Sequence, residues 1–316
     1  MPIAVIAAAI GVVTLLALRK RLRDLKRSLR KLAIDSEQQR LMLGKLLAER
    51  VKRTGAVDSL GEVEFKVFSQ FGDDGIIQWL VSHLDIPNRT FIEFGVEDYR
   101  ESNTRFLMMN DNWSGLVMDG SESNVASIVG AEYFPSHELL AKAAFIDAEN
   151  INGLVAATPF GREIGILHID LDGNDYWVWK SIEAISPIVA ILEYNSVFGI
   201  DRAITIPYDR GFARTRAHSN NLYFGASLRA LCLLSAQKGY AFIGCNSAGN
   251  NAYFVRADKL NEVVREKSMR DGYALSRFRE SRNEQGKLSW LTGEERLAAI
   301  RGMPVYDVET ERIEPL

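Results

Sequence analysis

Cysteine and histidine are scarce in this chain. Cys232, Cys245 and four histidines are all that 316 residues contain. Two cysteines make no disulfide framework and no metal-binding spacing, so nothing calls for an oxidising compartment. His83, His137 and His168 share no ligand spacing, which argues against a zinc site. Internal repeats and low-complexity tracts are absent too. Basic charge is missing from most of the chain. From Arg19 to Arg53 there are 13 Lys/Arg against 4 Asp/Glu, which leaves 25 basic and 37 acidic residues for the rest. An acidic body of this kind is not expected to bind nucleic acid, whose phosphates need a basic face. What remains is ordinary globular composition, 47% apolar and 25% charged, enough for a full core in one large domain.

The first 18 residues, Met1–Leu18, "MPIAVIAAAIGVVTLLAL", lack charge entirely and are almost wholly apolar. Its length suits a short transmembrane helix of about 17–25 residues. The basic run "RKRLRDLKRSLRK" follows it, the reverse of the order in a signal peptide. Positive charge stays on the cytoplasmic side. The expectation is a single-pass inner-membrane protein with its body in the cytoplasm and residues 1–31 in contact with lipid. Leu22, Leu25, Leu29 and Leu32 step by 3, 4 and 3, and Leu43 and Leu46 resume the same register after Ser36 and Gln39. That seam suits either a homodimeric coiled coil or a single amphipathic helix on anionic lipid. The sequence thus divides into an anchor (1–18), a basic helical neck and linker (19–55) and a body (56–316).

In the body, short apolar runs alternate with helical patterns, as in a parallel sheet built from βαβ units. Strands are expected at 90–94, 115–118, 144–146, 165–169 and 188–193, and helices at 75–84, 176–185 and 222–238. Two further strands, 240–245 and 252–255, flank the turn "NSAGNN" and read as an antiparallel hairpin. The fold class is α/β, a Rossmann-like methyltransferase sheet of parallel strands ending in that hairpin.

Parallel sheets bind ligands at the carboxyl ends of their strands. There the expected strands present Glu93 and Gly95, then Asp119, Asp147, Asp170 with Asp172, and Glu193. Asp119 can accept hydrogen bonds from both hydroxyls of a ribose. Gly95 would let backbone approach a ligand, and Asp147 could receive an adenine amino group. Asp170 and Asp172 could hold a substrate hydroxyl, act as a base, or ligate Mg²⁺. Of the two, Asp172 is assigned the acceptor hydroxyl. Asp170 is assigned the orientation of the loop, with Asn174 helping to hold the turn. His218, in the loop before Leu222, is the other candidate base.

"SQFGDDGIIQWL", "FIEFGV", "GLVMDGS" and "IDLDGNDYWVW" together resemble the FkbM-type S-adenosylmethionine-dependent methyltransferases, from about Phe65 to about Arg256. The resemblance implies S-adenosylmethionine as cofactor and a hydroxyl of a small molecule, sugar or glycan as acceptor. It puts Glu93 and Gly95 in the cofactor loop, Asp119 at the ribose, Asp147 near adenine, and Asp170 and Asp172 facing the methyl group. Ser69, Gln70 and Asp74 would belong to a segment covering the site. Where the family carries two or three glycines, this chain has Gly95 followed by "VEDYRESNT". The competing readings are a non-catalytic scaffold on the same fold, or a metal-dependent enzyme using Asp170, Asp172 and Glu193.

Overall fold

The structure, a computed structural model, describes residues 2–278 and 280–316, without the side chains of residues 2–14. Of the expected membrane span, Met1 and the side chains of residues 2–14 lie outside the described residues. Among those described, no helix is long and apolar enough to cross a membrane. Two compact units divide the chain, Met1–Leu46 and Leu47–Leu316.

Residues Pro2–Val51 form one helix, α1. Leu, Arg, Lys and Ala dominate it, and all are strong helix formers. The polar pair Ser36 and Gln39 does not interrupt it. Leu22, Leu25, Leu29, Leu32, Leu43 and Leu46 are all more than half exposed along it. The second unit starts earlier than the expected residue 56, because Ala48 and Val51 are buried.

After α2 (Asp73–His83) the second unit alternates strand and helix: β1 (Thr90–Phe94), α3 (Arg105–Asp111), β2 (Ser114–Asp119), α4 (Glu122–Val129), β3 (Leu139–Ala143), α5 (Ile151–Ala156), β4 (Glu163–Ile169), α6 (Asp175–Ser181) and β5 (Ser186–Glu193). Then come a short strand β6 (Ile204–Thr205), α7 (Arg214–Ala217), α8 (Leu228–Gln237), and the hairpin strands β7 (Tyr240–Cys245) and β8 (Asn251–Arg256). The main sheet runs β3-β2-β1-β4-β5-β8-β7. Its first five members are parallel, and β8 joins β5 antiparallel. This is the expected mostly parallel α/β sheet with a terminal antiparallel hairpin. A second sheet, unforeseen, joins β6 to β9 (Pro304–Asp307) and β10 (Arg312–Pro315).

Strands β1 and β5 are buried almost throughout, which is why they read as predominantly apolar runs. β3 is an edge strand, and the structure corrects its expected place. Only Leu139 of its residues is buried, and Ala144–Ile146 lies beyond its end. With one neighbour and one covered face, an edge strand needs no continuous apolar run. α8 also begins later than expected, at Leu228. Ser227 caps it by accepting from the Ala230 backbone N–H.

Candidate active site

The strand order reverses between β1 and β4, and a crevice opens at their carboxyl ends, where this topology binds ligands. The cleft has a volume of about 700 Å³. Eight carboxylate side chains line it, against the single guanidinium of Arg214 among the described residues.

Near the end of β1, Glu93 is buried and fully engaged. It accepts from the Ser102 hydroxyl at 2.6 Å, the Asn103 and Thr104 backbone N–H groups at 2.9 and 3.1 Å, and the Thr104 hydroxyl. His168 Nδ1 lies 3.0 Å from Glu93 Oε1, and its Nε2 3.2 Å from the Asn103 amide. Burial alone would raise the Glu93 carboxyl, but the His168 contact and the hydroxyls hold it below the usual range. The same contact raises His168 against the opposing effect of burial. Glu93 thus closes the loop that lacks a second glycine, pinning residues 102–104 from within.

Gly95 sits at φ +71°, and a Cβ there would fall 1.8 Å from the Asp170 carbonyl oxygen. Its bare backbone is needed for the approach of β1 to β4, as well as lining the cleft. Asp119, the last residue of β2, also lines the cleft. It accepts from the backbone N–H groups of Glu97 at 2.9 Å and Ser121 at 2.8 Å, and from Asn124 Nδ2 at 3.0 Å.

Asp147 is not where the sequence reading puts it. It is buried but absent from the cleft lining. Its Oδ1 accepts from the Glu149 and Asn150 backbone N–H groups, and its Oδ2 from Arg210 Nε at 2.6 Å. Burial would raise its carboxyl, yet these donors hold it low. The turn into α5 has used this carboxylate. Phe145 lines the cleft instead, with 59% of its surface exposed.

The opening between β4 and α6 separates two roles otherwise than expected. Asp175, fully buried, accepts from the Leu171 N–H at 2.8 Å and the Gly173 N–H at 3.0 Å. It therefore orients the loop, the part expected of Asp170. Asn174 does hold the turn, donating to the Asp209 carbonyl at 2.9 Å. Asp170 lines the cleft and accepts no hydrogen bond from the described residues. Burial, with Asp172 and Asp175 nearby, pushes its carboxyl up to about 7. Asp172 is exposed, stands at φ +53°, and is paired with Arg214 at 2.7 Å. Glu193, at the end of β5, is pushed well above the usual carboxylate range by burial and by Asp170 and Asp172.

His218 does not line the cleft; its Nδ1 accepts a long contact, 3.4 Å, from the Asn220 N–H. Among the residues of "SQFGDDG", Gln70 lines the cleft with Phe71. Asp74 holds that segment by accepting from Val67, Phe68 and Ser69 N–H groups at 2.7–2.9 Å. Asp73 reaches the hairpin, accepting from Tyr253 OH at 2.5 Å and from Asn246 and Asn251 Nδ2 at 3.0 Å.

No known family profile matches the chain, and no curated protein matches it by sequence. Among solved structures it is similar to the N-terminal domain of EvdMO1 with SAH bound, at 11% identity and TM-score 0.38, over 67% of this chain and 93% of that one. It is also similar to an O-methyltransferase from Bacillus cereus in complex with SAH, at 12% identity and TM-score 0.36, over 67% and 79%. A third is an S-adenosylmethionine-dependent methyltransferase from Clostridium acetobutylicum ATCC 824, at 8% identity and TM-score 0.35, over 58% and 89%. Likenesses this distant carry no argument about chemistry, which rests on the cleft itself.

Proposed function

We propose that the chain is an S-adenosylmethionine-dependent O-methyltransferase of the FkbM type, acting on a hydroxyl of a small molecule or sugar. The observation that carries the reading is the order of groups along the crevice. Gly95, Phe145 and Asp170, which follow β1, β3 and β4, and Asp119, which ends β2, line one continuous cleft. Asp119 suits ribose hydroxyls, and the exposed ring of Phe145 suits the face of a purine. The excess of carboxylates suits a ligand bearing a sulfonium and an ammonium group. At the far end, Asp170 accepts no hydrogen bond from the described residues, so it, rather than the Arg214-paired Asp172, meets the acceptor oxygen and takes its proton. A positioned base contributes typically 10²–10⁴-fold. Asp170→Asn should therefore cut turnover at least about 100-fold while leaving cofactor affinity nearly unchanged. Asp172→Asn should cut it much less. If the order of the two variants is reversed, Asp172 is the base after all.

A non-catalytic scaffold is the second reading. It is favoured by the closure of the 95–104 loop on Glu93, which fills with side chains the place where the family carries glycines. Calorimetric titration with S-adenosylmethionine separates the two. Binding supports methyl transfer, and its absence supports the scaffold.

The proposal extends to the N-terminal helix. The uncharged run Met1–Leu18 anchors the protein in the inner membrane of a bacterial cell, the basic residues up to Lys31 meet lipid headgroups, and the leucine seam pairs two chains. Release of intact protein by carbonate extraction would remove the anchor.

A further inference from the structure

Asp170, Asp172 and Glu193 bring one oxygen each to within 4.8 Å of one another on the cleft floor. Hard divalent ions bind oxygen at about 2.0–2.6 Å, so ligands facing each other across one ion stand about 4–5 Å apart. Proximity of acids alone would mean little. The second observation is a shortage of donors. Asn251 is only 3% exposed, lines the cleft, and lies opposite Glu193 in the β5–β8 ladder. Its Nδ2 is held by Asp73 at 3.0 Å, while its Oδ1 meets no partner. Glu193, 9% exposed, likewise leaves Oε2 without a donor. The Oδ1 of Asn174, also in the lining and buried, has none either. Folded proteins leave few buried acceptors unpaired, because each is costly. Here three such atoms line one cleft, beside a carboxylate that accepts nothing.

We infer that the cleft floor binds one hard divalent cation through Asp170, Asp172 and Glu193, with Asn251 Oδ1 as a neutral oxygen ligand. An all-oxygen set with no imidazole or thiolate selects ions of the Mg²⁺, Mn²⁺ and Ca²⁺ class over zinc or copper. Arg214 Nη1 bonds Asp172 Oδ1, so the other oxygen of Asp172 is the one to turn inward. Asn251 is pre-set for the task, since Asp73 fixes its amide with the carbonyl oxygen facing away. The inference rests on the methyl-transfer reading only for its role: a fixed positive charge at the acceptor end, held by one oxygen of Asp170 and leaving the other to take the proton.

The test is titration of the full chain with MnCl₂, following free Mn²⁺ by paramagnetic resonance, with MgCl₂ as competitor. One Mn²⁺ should bind per chain and be displaced by Mg²⁺. Glu193→Gln should weaken binding at least tenfold, and so should Asp172→Asn, whose exposed side chain can be changed without threatening the fold. The absence of bound Mn²⁺ at millimolar concentration, or unchanged affinity in both variants, overturns the inference. S-adenosylmethionine titrated with and without chelator keeps the two readings apart. Cofactor binding without Mn²⁺ binding leaves methyl transfer standing and removes the cation, whereas Mn²⁺ binding without cofactor binding does the reverse.

Discussion

Gly95→Ala is the substitution that most directly tests how β1 and β4 meet. Its Cβ would lie 1.8 Å from the Asp170 carbonyl oxygen, in a backbone conformation at φ +71°. Real Cβ atoms essentially never come closer than 3.0 Å, so the two strand ends must separate by roughly 1 Å or change conformation. A non-glycine residue in the left-handed region costs roughly 1–2 kcal/mol. Forcing extra volume into a packed site costs about 1–3 kcal/mol more. The sum, about 2–5 kcal/mol, is a large part of a typical stability of about 5–15 kcal/mol. At roughly 2–4 °C per kcal/mol for a domain of this size class, the melting temperature should fall by about 4–20 °C. Gly120 is the control. It also lines the cleft, yet a Cβ there meets nothing within 4 Å, so Gly120→Ala should melt with the wild type. Thermal denaturation without any ligand reads both. If Gly95→Ala keeps the wild-type melting temperature and only cofactor binding suffers, the packing account of Gly95 is wrong and the glycine serves the ligand alone.

Asp119→Ala should weaken S-adenosylmethionine by roughly 1.5–3 kcal/mol, or about 10–150-fold, by calorimetry; an unchanged dissociation constant in a folded variant removes the ribose assignment. Asp147→Asn should cost about 1–2 kcal/mol of stability at neutral pH and leave cofactor affinity alone, because its partners are the α5 turn and Arg210. Its folded carboxyl lies below the ordinary value of 3.8, so this stability is present above about pH 4 and lost as pH falls through the folded value. Denaturant titrations of wild type and variant should therefore converge in acid, and a gap that persists there contradicts the account. A chain starting at Leu47 should melt higher than one starting at Val57, since only the former keeps the buried side chains of Ala48 and Val51; equal melting temperatures would place the boundary back at the linker.

The central strands were legible because burial on both faces leaves mostly apolar residues, as in "TFIEF" and "PIVAILE", each broken by a single glutamate near the cleft. The edge strand β3 was not, and the apolar "AFI" beyond it proved to be the cleft wall around Phe145. Strands of two to four residues, β6, β9 and β10, carry too few alternations to register. In the site, Asp119 and Asp170 were found from the rule that ligands meet strand ends. Asp147 satisfied the same rule and still went to a helix turn, because sequence position does not say which donors reach a carboxylate first. Arg214 and Asn251 carry no local pattern; each matters only through a residue more than forty positions away, Asp172 for the first and Asp73 for the second. His168 was weighed only as a zinc ligand, and its pairing with Glu93 across adjacent strands became visible once the register was known.

The Asp73 carboxylate joins the start of the second unit to its last parallel-sheet neighbour, with partners 173 to 180 residues away in sequence. Contacts that distant are slow to form, because the loop they close must be ordered first. They also impose an order on synthesis. A growing chain that has emerged only as far as β5 already carries Gly95, Asp119 and Asp170, but its Asp73 has no tyrosine or asparagine to meet. The segment bearing Gln70 and Phe71 then has nothing to anchor it from the hairpin side, and Asn251 has not yet emerged. The cleft is thus completed by nearly the last part of the sheet to be made, and a nascent chain halted before the hairpin is a sheet without a site.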